Sequence, residues 1–207
     1  MSLEEKRREL QELRKRVRVL EDELTAEGND SPWRATGYYT AYHATAGFVL
    51  GAVAALASLA FNVVGSFLFG KHPLELIRVY LTFPMGEKAL DLNAVDNGVI
   101  LAVGVCLYLV TGMLYGIVFQ LVLTRFASQA SIPVRLVVVS VLSLAIWLVN
   151  FYGVLSWLQP LLLGGNWIVE QVPVGVAALT HLIFGWTMLL VSGLGRYTPY
   201  RLQTERS

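Results

Sequence analysis

Charged side chains are scarce in this 207-residue chain. Lys and Arg number 16 and Asp and Glu number 15, so charged residues make up 15% of the chain, against about a quarter in a typical soluble domain. Between Asn97 and Gly195 the charged residues are Arg125, Arg135 and Glu170 alone. This depletion excludes a water-soluble enzyme and a disordered protein, and the lack of a basic face excludes a nucleic-acid-binding protein.

Cysteine is almost absent as well. Cys106 is the single cysteine, it lies inside an apolar run, and one thiol cannot form an internal disulfide. The N-terminal segment also lacks the apolar core of a secretory signal, because its residues are mainly Glu, Arg, Lys and Leu, so we expect no cleaved leader. Charge is instead concentrated in residues 1–36, where acidic and basic residues nearly balance.

Long apolar runs are what the chain has in abundance. A hydrocarbon core about 30 Å thick is crossed by about 20 apolar residues in a helix. Four runs are long enough and carry no charge in their middle: 41–69, 99–126, 134–158 and 174–194. The sequence therefore predicts an all-α integral membrane protein with four transmembrane helices, in which a cytoplasmic helix at 1–30 precedes a transmembrane domain at 31–207.

Basic residues near the ends of these runs predict the orientation. Lys and Arg concentrate on the cytoplasmic side of membrane proteins. The second connection contains Arg125 and Arg135, and both terminal segments are basic next to the apolar runs. The last connection contains Glu170 alone, and the basic residues of the first connection are offset by acidic neighbours. We therefore expect both termini in the cytoplasm and a multi-pass location in a bacterial-type inner membrane.

The first connection, residues 71–97, is too polar to span a membrane. Four of its apolar residues share one helical face: Leu74, Ile77, Tyr80 and Leu81. This pattern predicts an outer interfacial amphipathic helix that ends at Pro84 and Gly86. We expect a plain surface helix, with a lid over the bundle as the alternative.

The N-terminal segment carries a heptad repeat. Leu3, Leu10, Val17 and Leu24 occupy position a, and Lys6, Leu13 and Leu20 occupy position d. In a parallel pair the flanking positions bring Glu9 opposite Arg14 and Arg16 opposite Glu21, and both contacts are attractive. Two interpretations stay open: a parallel coiled coil that joins subunits, or a solvated amphipathic helix that lies on the membrane or on a partner.

Three polar residues within the apolar runs are predicted to share one depth. Asn62, Asn150 and His181 each lie about eight residues, or about 12 Å, from the outer end of their helix. Polar groups at that depth require partners because lipid offers none. The layer is interpreted either as hydrogen bonding between helices or as a small polar site for a solute, a quinone or a proton, with His181 as its titratable group.

Small residues at four-residue spacing mark faces where helices approach closely. The predicted helix-packing residues are Gly47, Gly51, Gly112, Gly116 and Gly185. Short similarities between the first and third runs and between the second and fourth runs also suggest two hairpins related by an axis along the membrane normal, a 2+2 parallel repeat. A match this short also arises by chance, so the repeat remains an open alternative.

Motifs for catalysis and for metal binding are missing. The chain has no HExxH, no Gly-x-Ser-x-Gly and no Walker A sequence. Its three histidines, His43, His72 and His181, lie at different depths and could not ligate haem within one chain. We therefore expect no catalytic residues, no cofactor and no metal.

Together these features favour a non-catalytic scaffold or accessory subunit of a larger membrane complex, which packs through its small-residue helix faces and its N-terminal helix. A respiratory-type complex is one setting. Its expected partners are the lipid bilayer and either other membrane subunits or copies of itself, with no nucleic acid. The alternative is a small oligomeric transporter or channel that uses the layer of Asn62, Asn150 and His181. An enzyme or redox carrier based on His181 is a third and weaker hypothesis.

Overall fold

The computed structural model describes residues 3–26, 39–68, 70, 72–91 and 98–197, and every regular element in these ranges is helical. The predicted domain boundary near 30 and the last residues of the predicted outer segment, 92–97, lie outside the described residues. The described residues divide into two units. Helix α1 (Leu3–Ala26) belongs to the first unit, and the second unit begins at Tyr39 and contains all the remaining elements.

The second unit is a succession of helices. Their bounds are α2 (Thr40–Leu68), α3 (Glu75–Met85), a 3-10 turn (Gly86–Leu90), α4 (Gly98–Arg125), α5 (Ile132–Leu148), a π-helix (Val149–Leu155), α6 (Ser156–Leu163), α7 (Trp167–Gln171), α8 (Val174–Val191) and a 3-10 turn (Ser192–Gly195). The segment from α5 through the π-helix to α6 is one continuous helix of 32 residues.

Four helices in the described ranges are long and apolar enough to cross a membrane, as the sequence predicts. They are Thr40–Leu68, Gly98–Arg125, Ile132–Leu163 and Val174–Gly195. The third begins two residues before the predicted start at 134 and continues five residues past the predicted end at 158. Each also carries exposed Val or Leu side chains, which suits a surface that faces lipid. The structure is thus consistent with a multi-pass membrane protein.

The order of the helices in the bundle leaves a gap. α2 packs along both α4 and α8, and α8 packs along α5. By contrast α4 and α5, which follow each other in the chain, contact each other little. α4 and α5 therefore leave a space between them.

Helix α3 covers one end of this space. Ile77 and Leu81 are buried against α4 at Gly104, where a Cβ atom would lie 2.7 Å from Cγ2 of Ile77 and 2.9 Å from Cγ of Leu81. Val79 and Thr82, on other faces of α3, are also buried.

The expectation of a plain surface helix is therefore wrong. The sequence pattern identified one apolar face, whereas Val79 packs in a second cluster with Phe151, Leu155 and Ile168, on the π-helix and α7. The predicted end is correct: Pro84 lies in the last turn of α3, and Gly86 follows the helix at a φ of 61°, in the left-handed region that favours glycine.

Candidate functional site

A cavity of about 260 Å³ lies in the gap between α4 and α5. α8 completes its walls, and α3 and α7 contribute the side chains at one end. Most of the lining is apolar and aromatic. The polar residues that line it are Tyr80, Tyr108, Thr111, Tyr115, Asn150, Thr180 and His181. An apolar pocket with a few convergent polar groups is the usual form of a small-molecule site.

Asn150 reaches the cavity from the π-helix. This segment inserts extra residues into the third span, and such insertions are frequent at functional sites. Across the gap the side chain of Asn150 makes a polar contact with the hydroxyl of Tyr115 on α4. The pair therefore links two helices whose backbones stay apart.

His181 lies on α8 at the same cavity. Its Nδ1 is 2.8 Å from the carbonyl oxygen of Ala177, one turn earlier in the helix, and its ring meets Phe151 edge-on at a centroid distance of 6.1 Å. A carbonyl oxygen only accepts, so Nδ1 carries the proton in the neutral ring and Nε2 is left as an acceptor. Among the described residues the hydrogen bond of the His181 ring is the one at Nδ1.

Asn62 has a different role from the other two predicted residues. It is buried and donates to the carbonyl oxygen of Ser58 at 2.7 Å and to the hydroxyl oxygen of Thr180 at 2.9 Å. It does not line the cavity. The structure thus brings Asn150 and His181 to one cavity, whereas Asn62 joins α2 to α8 through Thr180.

The predicted packing glycines lie at contacts within this chain. A Cβ atom on Gly51 would lie 2.5 Å from the carbonyl oxygen of Gly112, and one on Gly47 would lie 2.6 Å from that of Gly116. On α8, a Cβ atom on Gly185 would strike the side chain of Ser143. These glycine faces are in contact with other helices of the same chain.

Two buried glutamines were not predicted. Gln159 on α6 donates to the hydroxyl of Thr82 at 2.9 Å and accepts from the backbone N–H of Ile168 at 3.0 Å. Gln120 on α4 donates to the carbonyl oxygen of Ser192 at 3.2 Å. Both side chains are fully buried. A lone glutamine in an apolar run is the signal that the sequence offers for both, and Gln159 joins α6 to α3 and α7.

A buried arginine fixes the end of α3. Arg78 is 8% exposed, forms an ion pair with Glu75 at 3.0 Å and donates to the carbonyl oxygen of Leu90. These contacts tie α3 to the 3-10 turn that follows it. Its charge is therefore used for structure, and it does not reach the lining of the cavity.

Helix α1 presents an apolar face of its own. We call the set Leu10, Leu13, Val17 and Leu20 the α1 stripe, and these side chains are 49–55% exposed. They recur at the a and d spacing on a helix whose other described side chains are mostly charged. Within its unit the stripe has no covering element among the described residues.

No group of three or more His, Cys, Asp or Glu side chains placed to hold a metal ion occurs among the residues that the structure describes. Comparison of the chain with protein-family models, with curated proteins and with solved structures gives no match.

Proposed function

We propose that this protein is a non-catalytic membrane scaffold, anchored by four spans, whose copies assemble through α1. The observation that carries the proposal is the exposed α1 stripe. Four half-exposed apolar side chains on one face of a highly charged helix are costly in water, and a contiguous apolar face of this kind marks an interface.

The charges beside the stripe favour a second copy in parallel orientation. In a parallel pair Glu9 at position g faces Arg14 at position e of the other helix, which is attractive. The two antiparallel alignments are less favourable: one places Arg14 against Arg14, and the other places Arg7 against Arg14, which offsets the attraction of Glu9 to Arg16. Parallel pairing is therefore the arrangement that the described charges support.

Membrane anchoring allows a short coiled coil to hold two copies of the chain together. Three heptads in free solution are marginal because helix nucleation and association both cost entropy. Insertion in one bilayer gives every copy the same orientation and raises the local concentration of α1, so a weak contact becomes effective. Both termini are proposed to be cytoplasmic, which places every α1 in one compartment of an inner membrane.

The test compares two valines of equal exposure. Val17, in the stripe, is 52% exposed, and Val19, off the stripe, is 49% exposed. Val17→Asp removes two apolar contacts per dimer, each worth about 1.5 kcal/mol, and so weakens association about a hundredfold. Val19→Asp leaves association unchanged. The measurement is association of the full chain in lipid vesicles, by energy transfer between fluorescently labelled copies over a range of protein-to-lipid ratios.

Disulfide trapping reports the orientation. In a Cys106→Ser background, oxidation of Leu20→Cys links two copies only in a parallel pair, because both antiparallel alignments separate these positions by about 15 Å or more along the axis. Val19→Cys is the control that does not link. A monomer for the wild-type chain, or equal effects of Val17→Asp and Val19→Asp, contradicts assembly through the stripe.

A further inference from the structure

We propose that the cavity between α4 and α5 binds a small lipid-soluble alcohol with an aromatic ring system, whose hydroxyl donates to Nε2 of His181. This site is independent of α1, so it goes beyond the proposed scaffold. The inference rests on three properties of the cavity: its size, its apolar wall and the acceptor that the protein leaves free there.

The size sets the scale of the ligand. An apolar cavity of about 150 Å³ in a protein core accepts one benzene ring. The cavity here is about 260 Å³, which leaves room for about two fused rings with one substituent. A smaller solute would leave apolar walls without contacts, and a long-chain lipid would not fit whole.

The wall selects an aromatic body. Phe83, Phe119, Phe151 and Phe184 line the cavity from four different elements. Phe119 and Phe184 already meet in a T-shaped contact at a centroid distance of 5.4 Å, so the wall presents both ring faces and ring edges. Such a wall favours a flat aromatic ligand, since offset and edge-on contacts add to the burial of apolar area.

The acceptor selects a donor on the ligand. Ala177 fixes the proton of His181 on Nδ1, so Nε2 offers a lone pair on a residue that lines a mostly apolar cavity. A ketone, an ether or a plain hydrocarbon cannot satisfy it, whereas an O–H group can. A ligand hydroxyl that donates to Nε2 gains a hydrogen bond that the matching ether cannot form, so the cavity discriminates for the hydroxyl.

The experiment uses two matched probes, 1-naphthol and 1-methoxynaphthalene, which share the ring system and differ in the donor. Binding is measured by equilibrium dialysis against nanodiscs that contain the full-length protein, with empty nanodiscs subtracted for partition into lipid. We expect 1-naphthol to bind about tenfold more tightly than 1-methoxynaphthalene, as one buried hydrogen bond predicts.

His181→Phe provides the second arm, because it keeps an aromatic ring and removes the acceptor. It should lower the affinity for 1-naphthol to that for 1-methoxynaphthalene and leave the latter nearly unchanged. His72→Phe, at an exposed position outside the cavity, should change neither affinity.

Three outcomes would overturn the proposal: no binding of 1-naphthol above empty nanodiscs, equal affinity of the wild-type chain for both probes, or an unchanged preference in His181→Phe. The comparison of the two probes on the wild-type chain decides the matter even if a variant fails to fold. Val17→Asp should bind 1-naphthol normally, so failure of the scaffold proposal and failure of this one are distinguishable.

Discussion

At the scale of single residues, polar side chains in the spans serve different purposes although their sequence context is alike. Asn62 and His181 lie at a similar predicted depth and each is surrounded by apolar neighbours. Asn62 satisfies its amide on Thr180 of another helix, whereas His181 bonds its own helix and lines the cavity. Helix length predicts a depth for each residue, but it does not predict the hydrogen-bond partner, because the partner depends on how each helix is rotated.

The Asn62 contact should contribute measurably to stability. Asn62→Ala removes hydrogen bonds between α2 and α8, and we expect it to lower the free energy of unfolding by about 1 kcal/mol, in the range found for such bonds in membrane bundles. The measurement is unfolding by a denaturing detergent in mixed micelles. Thr111→Val is the control, since that hydroxyl bonds only the carbonyl oxygen of Leu107 in its own helix and its loss should cost less than about 0.5 kcal/mol. Equal losses in the two variants would contradict the assignment of Asn62 as an interhelical contact.

At the scale of elements, the contact between α2 and α4 is set by glycine. The backbones approach so closely at Gly51 and Gly116 that a methyl group on either would overlap backbone atoms of the other helix. Four-residue spacing predicted close approach, and it did so because only glycine permits this distance. The sequence could not say that the neighbour would be a helix of the same chain.

A pair of identical substitutions tests this contact. Gly116→Ala forces α2 and α4 apart and should destabilise the bundle by about 1–3 kcal/mol. Gly65→Ala, also in a span but with no atom within 4 Å of the added methyl, should leave stability unchanged or raise it by about 0.5 kcal/mol, since alanine favours helix. Unfolding in mixed micelles measures both, and a loss in Gly65→Ala as large as in Gly116→Ala would refute the close contact.

The four spans could be predicted because one requirement, the length of the apolar run, determines whether a helix can cross the membrane. About 20 apolar residues make a span in any context, so four spans followed from the sequence and their ends differ from the prediction by only a few residues. The placement of α3 was not predictable, because it depends on Val79 meeting the π-helix and α7, which are distant in the chain. The cavity was missed for the same reason, since it results from the small contact between α4 and α5.

At the scale of the whole molecule, an even number of membrane-spanning helices predicts that both ends of the chain lie on the same side. Arg125 and Arg135 flank the connection between α4 and α5, whereas Glu170 is the charged residue of the connection between α6 and α8. The bias of Lys and Arg toward the cytoplasm therefore supports cytoplasmic termini.

Labelling of intact cells with a membrane-impermeant maleimide tests this orientation. In a Cys106→Ser background, Glu170→Cys should react and Ser128→Cys should react only after the cells are opened, because both positions are exposed but lie on opposite sides of the bundle. The reverse pattern would place both termini outside, and labelling of both positions in intact cells would contradict four spans.

The π-helix determines which side chains of the third span face the bundle interior after residue 155. Each residue advances an α-helix by about 100°, so an extra residue in the Val149–Leu155 stretch resets the angular phase of everything after it. This reset turns Gln159 inward, toward Thr82 and the start of α7. Deleting one residue from the stretch would restore a regular helix and rotate that amide toward the hydrocarbon. The hydrogen bonds that join α6 to α3 and α7 would then be lost.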